Sequence, residues 1–171
     1  MRDKLRRHYQ VQKEVTRNGY FEGEIALSEL SRVGELLHPG KPDLEGRKIA
    51  LKFEFVSNES EIPMLVGRLE TNLELECQRC LNALEWPIAL DFSLMIDASD
   101  ELVLNSSVDT LYSEDGFIDI VEVVEDELIL AIPLVAMHED TACNKNWQVA
   151  ESESAIKDNP FAVLQQLKTT D

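Results

Sequence analysis

The amino-acid sequence predicts an α+β domain: an antiparallel β-sheet with long strands, among them a long hairpin, and a few helices packed against it. Three stretches alternate apolar and polar residues over many positions, the mark of strands with one buried and one wet face. Shorter stretches carry apolar residues at three- and four-residue spacing, the mark of helices with one buried stripe. With 171 residues and 44% hydrophobic content, the chain can bury a single core.

The elements are expected as follows. Arg2, Lys4, Arg6, Arg7, Lys13 and Arg17 outnumber Asp3 and Glu14, so residues 1–18 read as a basic, flexible segment ahead of a core spanning 19–143. Ser28 to Leu37 reads as a short helix capped by Ser28, with Leu30, Val33 and Leu37 on one face, stopped by Pro39, Gly40 and Pro42. Ile49, Leu51, Phe53 and Phe55 form the buried side of a first strand. Leu65, Leu69, Leu73, Leu75 and Cys77 form that of a second, and Trp86, Ile88, Leu90, Phe92, Leu94 and Ile96 that of a third. The last two strands make the hairpin, with Cys77-Gln78-Arg79-Cys80 at its turn. Pro87 places the second arm at a sheet edge or a bulge. Residues 97–116 are acidic and irregular and read as a loop.

A helix is predicted over 119–133. Asp119 is its cap, Glu122 is placed to answer in a capping box, Val121, Val124, Leu128 and Ile132 form a stripe, and Pro133 stops it. Glu127 falls on the edge of that stripe. Residues 144–171 read as a polar linker and a C-terminal helix that opens Asn159-Pro160-Phe161. That helix either clips onto the sheet or serves as a docking segment with Phe161 and Leu164 as anchors.

Charge narrows the class of function. Acids outnumber bases 33 to 16, a net charge of −17, and no Lys or Arg occurs between Arg79 and Lys145. Phosphate backbones are bound through Lys and Arg, so nucleic acid is disfavoured as a direct partner and a basic protein is favoured. Asp119, Glu122, Glu125 and Asp126 are the expected partner-binding acids. No apolar run approaches the length of a membrane span. Met1 to His8 lacks the apolar stretch of a secretory signal, and three cysteines are too few for a disulfide scaffold. The expected location is the reducing cytoplasm.

The sequence offers little catalytic machinery. His8, His38 and His138 stand near no nucleophile motif, no glycine-rich phosphate loop is present, and no loop has EF-hand spacing. The expectation is a protein that is not an enzyme. The cysteines carry the one pattern with specific chemistry. Cys77 and Cys80 hold two sulfurs at the separation of a zinc knuckle, and His138 and Cys143 supply a further imidazole and thiol. These four are the candidate ligands of a structural zinc. Reduced cysteines beside a turn are the plainer reading, since the knuckle lacks the glycine or proline that often shapes a zinc turn. A redox role is disfavoured because no βαβ pattern surrounds the pair.

Four blocks resemble the YceD family, named for large ribosomal RNA subunit accumulation: Leu75 to Cys80, Val124 to Pro133, the His138 to Cys143 cluster, and Asn159 to Leu164. They occur in the family's order, and their combination carries the resemblance. The basic start of this chain departs from the family's usual short apolar-and-proline opening. The resemblance implies a non-enzymatic factor in the synthesis, processing or stability of large-subunit (23S) rRNA. The implied partner is a basic ribosomal protein or an assembly intermediate, with any rRNA contact more often indirect. Two competing expectations are a metal-dependent rRNA-processing enzyme, which needs a carboxylate cluster in a cleft, and a generic acidic interaction module that acts on rRNA indirectly.

Overall fold

The computed structural model describes residues 5–37, 39, 44, 46–97, 109–113 and 115–143. The chain divides into two units, residues 1–139 and 140–171. The first holds, in chain order, β1 (His8–Gln10), α1 (Val11–Thr16), β2 (Tyr20–Ala26), α2 (Ser31–Gly34), β3 (Lys48–Ser57), β4 (Pro63–Glu76), β5 (Ala83–Asp97), β6 (Asp109–Tyr112), β7 (Phe117–Asp119) and α3 (Ile120–Ala131). Five strands form one sheet in the order β2-β3-β4-β5-β6, and β1 pairs with β7 in a separate ladder. Every pairing is antiparallel except that of β6 with the end of β5. The fold is α+β, as the alternation predicts.

The three alternating stretches are β3, β4 and β5, and their apolar positions line up across the sheet because register sets which residues share a face. Leu65, Leu69, Leu73, Leu75 and Cys77 are all buried. One row runs Phe21, Phe53, Gly67, Phe92 across four strands. Phe21 and Phe53 stack at 5.3 Å. The Phe92 ring covers Gly67, where a methyl group would meet that ring and lie 2.7 Å from the Lys52 carbonyl oxygen. The apolar sides of α2 and α3 join this core through Val33, Ile120, Val124 and Leu128.

The wet face is laced by ion pairs. Arg68 reaches Glu70 at 2.8 Å and Asp91 at 3.0 Å. Glu74 and Glu85 lie directly opposite one another. Arg47 offsets the repulsion expected of facing like charges by bonding Glu85 at 2.7 Å and Glu74 at 3.1 Å. Pro87 stands opposite Asn72, whose carbonyl accepts from Arg47 at 3.1 Å. β6 pairs only with residues 94–97 of β5, so among the described residues the Pro87 part of the strand is an edge. There a missing N–H leaves no ladder bond unmade.

Three expectations are corrected. The basic start is not a loose segment: from Leu5 onward it is built into the fold. Tyr9 and Val11 are buried, and the Glu14 carboxylate, 1% exposed, is gripped by Arg6 at 2.9 Å and Arg17 at 2.7 Å. Arg7 bonds Asp119 at 2.6 Å beside the β1–β7 ladder. These arginines answer carboxylates of the same chain. The helix expected over 28–37 is instead a 3-10 turn, Leu27–Glu29, followed by the four-residue α2, whose N-cap is Leu30. Ser28 caps nothing there; its N–H donates to the Leu44 carbonyl. Leu30, Val33 and Leu37 are nonetheless buried together. Finally, the stretch read as a loop contains β6, too short for alternation to register. The β1–β7 ladder and β2 were not foreseen either.

Candidate functional site

The hairpin of β4 and β5 is the longest element of the sheet, and its turn carries the cysteine pair. The Cys77 N–H donates to the Asn82 carbonyl at 3.0 Å, and the Leu81 N–H to the Cys77 carbonyl at 2.8 Å. Leu81 has φ +59 and an exposed side chain. It occupies the left-handed conformation that glycine ordinarily supplies. The glycine whose absence argued against a zinc turn is thus replaced by a strained leucine, and the turn forms all the same. Cys77 ends the buried stripe of β4 and is itself fully buried, while Cys80 is half-buried.

The segment after α3 runs beside this turn. The Gln78 N–H donates to the Ala136 carbonyl at 2.8 Å, and the Gln78 side-chain amide to the Leu134 carbonyl at 3.0 Å. The chain is thereby held so that the His138 N–H points at Cys77 Sγ, 3.5 Å away. The imidazole Nδ1 lies 3.4 Å from Cys80 Sγ, and Nε2 lies 3.2 Å from the Ala83 carbonyl oxygen. One ligand atom each from Cys77, Cys80 and His138 falls within 4.8 Å of the others. Burial pushes the Cys77 thiol up, but the backbone N–H groups of His138, Cys80 and Arg79 outweigh it and bring the pKa down to about 5. Cys143 ends the 3-10 turn Thr141–Cys143 of the second unit, where its N–H donates to the Asp140 carbonyl at 3.2 Å.

The four expected partner-binding acids separate. Asp119 caps α3 by accepting from the Val121 N–H at 2.9 Å and the Glu122 N–H at 3.4 Å, and it is paired to Arg7. Burial pushes its carboxyl up, but Arg7 and the two N–H donors outweigh this and hold it below the usual range. Among the described residues Glu122 makes no bond back to the Asp119 N–H, so the capping box is half formed. Glu125 is buried, and its Oε1 accepts the Arg32 N–H at 2.7 Å, closing the start of α2. Neither Asp119 nor Glu125 is a free surface group, which corrects their assignment to a docking face. Position 125 is four residues after Val121 and three before Leu128, so the helical stripe already placed it inward. Glu122 and Asp126 remain exposed, Asp126 bonded to Arg32 at 2.6 Å.

Glu127, expected on the stripe's edge, is half-buried. Burial pushes its carboxyl up, and the charges of Asp109 and Asp126 add to this. Sequence reasoning missed an exposed apolar group at and beyond the end of α3: Leu130, Leu134, Val135 and Met137. Phe161 and Leu164 lie outside the described residues. No helix among the described residues is long and apolar enough to cross a membrane.

The family described as "Large ribosomal RNA subunit accumulation protein YceD" matches residues 65–168. A protein from Haemophilus influenzae with that same name is 31% identical over 166 residues, which cover 91% of each chain. The chain belongs to the YceD family. The matched stretch holds β4 from Leu65 onward, β5, α3 and the residues Cys77, Cys80 and His138 that meet at the hairpin turn. Neither description names a catalytic activity. No solved structure matches the chain.

Proposed function

We infer that this protein supports accumulation of the large ribosomal RNA subunit as a non-enzymatic assembly or stability factor, and that it does so in the cytoplasm by docking a basic protein. Its membership of the YceD family, with a namesake relative matched along 91% of both chains, carries the first half. The second half is supported by the net charge of −17 and by the surface of α3. On it Glu122, Asp126 and Leu130 are exposed, and Leu134 and Val135 are exposed just beyond its end. An apolar contact with an acidic rim suits a partner whose own contact is ringed by Lys and Arg. Of the arginines near the N-terminus, Arg6 and Arg17 already bond Glu14 and Arg7 already bonds Asp119, which leaves them less available to RNA.

Depletion tests the first half: the ratio of large to small subunits in a sucrose gradient should fall, and an unchanged ratio with normal large-subunit rRNA would end the proposal. Capture from lysate tests the second. Basic ribosomal proteins should remain bound after ribonuclease treatment, whereas loss of every partner would point to RNA contact instead. With the partner in hand, Glu122→Gln with Asp126→Asn should slow association several-fold and flatten its salt dependence, as expected when rim charges steer encounter.

A further inference from the structure

We propose that the edge of β5 from Glu85 to Asp91 takes an extended basic segment of a partner protein as an added strand of the sheet. Three contacts fix which way the backbone of this arm faces. The Asn82 carbonyl accepts from the Cys77 N–H at 3.0 Å, so even-numbered positions turn toward β4. The Ala83 carbonyl lies 3.2 Å from His138 Nε2, and the Asp97 carbonyl accepts from the Ser113 N–H at 2.9 Å. Odd-numbered positions therefore turn outward at both ends of β5. In an antiparallel ladder the N–H and C=O of one residue point to the same side, and the side alternates along the strand. Pairing with β4 runs unbroken from Ala83 to Met95, so the same parity holds between the ends.

The outward backbone groups of Glu85, Pro87, Ala89 and Asp91 thus lie along a bare edge. β6 begins opposite Leu94, and among the described residues no strand pairs with β5 on this side before it. Unpaired N–H and C=O groups in a row are a template for another strand. Pro87 withholds one donor, but its carbonyl and both groups of Glu85, Ala89 and Asp91 remain. The missing donor limits the registers a partner can take without leaving the edge closed to it.

The side chains along the edge define the occupant. On the wet face Glu85 and Asp91 stand outermost, with Glu74 and Glu70 behind them on β4. Arg47 pairs with Glu74 and Glu85, and Arg68 with Glu70 and Asp91, so two cations answer four carboxylates and the rim stays negative. On the other face Leu84, Trp86 and Leu90 are only partly buried where the sheet ends. An added strand alternates its side chains between the same two faces. The strand that fits carries Lys or Arg opposite Glu85 and Asp91, and apolar residues opposite Trp86 and Leu90. A second copy of this chain does not meet that pattern. A two-fold antiparallel pairing centred on Ile88 would set Glu85 against Asp91 at both ends, like charge against like. This edge lies on a different element from the acidic surface of α3, and neither site depends on the other.

The test is amide hydrogen exchange, read by NMR on the full chain, with and without a capped peptide of alternating Lys and Val about nine residues long. In the free chain the N–H groups of Glu85, Ala89 and Asp91 should exchange fast and those of Trp86, Ile88 and Leu90 slowly. Bound peptide should slow the first set by at least about tenfold. Ala89→Pro removes an outward donor and no bond to β4, and it should weaken the peptide by about tenfold. The same peptide N-methylated at its lysines, the residues that would pair with Glu85 and Asp91, should lose at least as much with the protein itself unaltered. Equal affinity for the N-methylated peptide, or for one with its lysines and valines in two blocks, would reduce the contact to bulk charge and overturn the added strand. No slowing at millimolar peptide overturns it too. Slow exchange at Glu85, Ala89 and Asp91 in the dilute free chain overturns it in favour of a segment of this chain. Protection that grows with protein concentration alone overturns it in favour of a second copy.

Discussion

Replacing Asp119 by asparagine and by alanine separates two roles that one carboxylate performs. Its Oδ1 accepts from the Val121 and Glu122 N–H groups, and its Oδ2 bonds Arg7 Nε at 2.6 Å. Loss of an N-cap costs about 1 kcal/mol. The ion pair contributes only about 0.5 kcal/mol, because the Arg7 side chain is 62% exposed and screened by solvent. Negative charge at the helix N-terminus adds about 0.5 kcal/mol. Asparagine keeps the cap and loses the charge, so Asp119→Asn should cost about 1 kcal/mol and Asp119→Ala about 2 kcal/mol. Urea denaturation at neutral pH measures both.

Acid gives the second arm of the experiment. The folded-state pKa of Asp119 lies below its unfolded value, so its charge-dependent stability is complete above the unfolded pKa and is lost as pH falls through the folded one. The gap between wild type and Asp119→Asn should therefore close below about pH 4, while the gap between the two variants persists. Equal costs for the two variants at neutral pH would refute the division into cap and charge. A wild-type-to-asparagine gap unchanged by acid would refute the ionic part.

Other substitutions probe the packing. Gly67→Ala should cost about 1–3 kcal/mol, because the added methyl group meets the Phe92 ring and the Lys52 carbonyl, and a lowered urea midpoint at unchanged slope would show it. Glu125→Gln should cost about 1–3 kcal/mol through its weakened bond to the Arg32 N–H, whereas the exposed Glu122→Gln should stay within about 0.5 kcal/mol. Equal small costs would return Glu125 to the surface. Leu81→Gly should raise the melting temperature: relief of the left-handed strain, about 1–2 kcal/mol, exceeds the roughly 0.5–1 kcal/mol of extra chain entropy that glycine loses. A lower melting temperature would mean that the exposed leucine makes a contact the turn needs.

The long strands, α3 and the membership of Cys77 in a buried stripe are legible in the amino-acid sequence. Alternation and helical spacing are local properties: each residue's face follows from its position along one element, so β3, β4, β5 and the Asp119 cap were legible without knowing what they pack against. Even the inward position of Glu125 was written in its spacing from Val121 and Leu128, though its charge suggested the surface. Where remote segments meet is visible only in the folded chain. β1 pairs with β7 across more than a hundred residues, and β6 joins β5 in parallel, and neither three- nor four-residue strand is long enough to show a period. The basic start became a partner of Glu14 and Asp119 because burial of Tyr9 and Val11 carries its arginines to those carboxylates. The 3.4 Å approach of His138 to Cys80 likewise depends on Gln78 pinning the chain after α3 to the hairpin turn. Such contacts are set by the balance of burial over the whole core, and spacing within one segment carries no record of them.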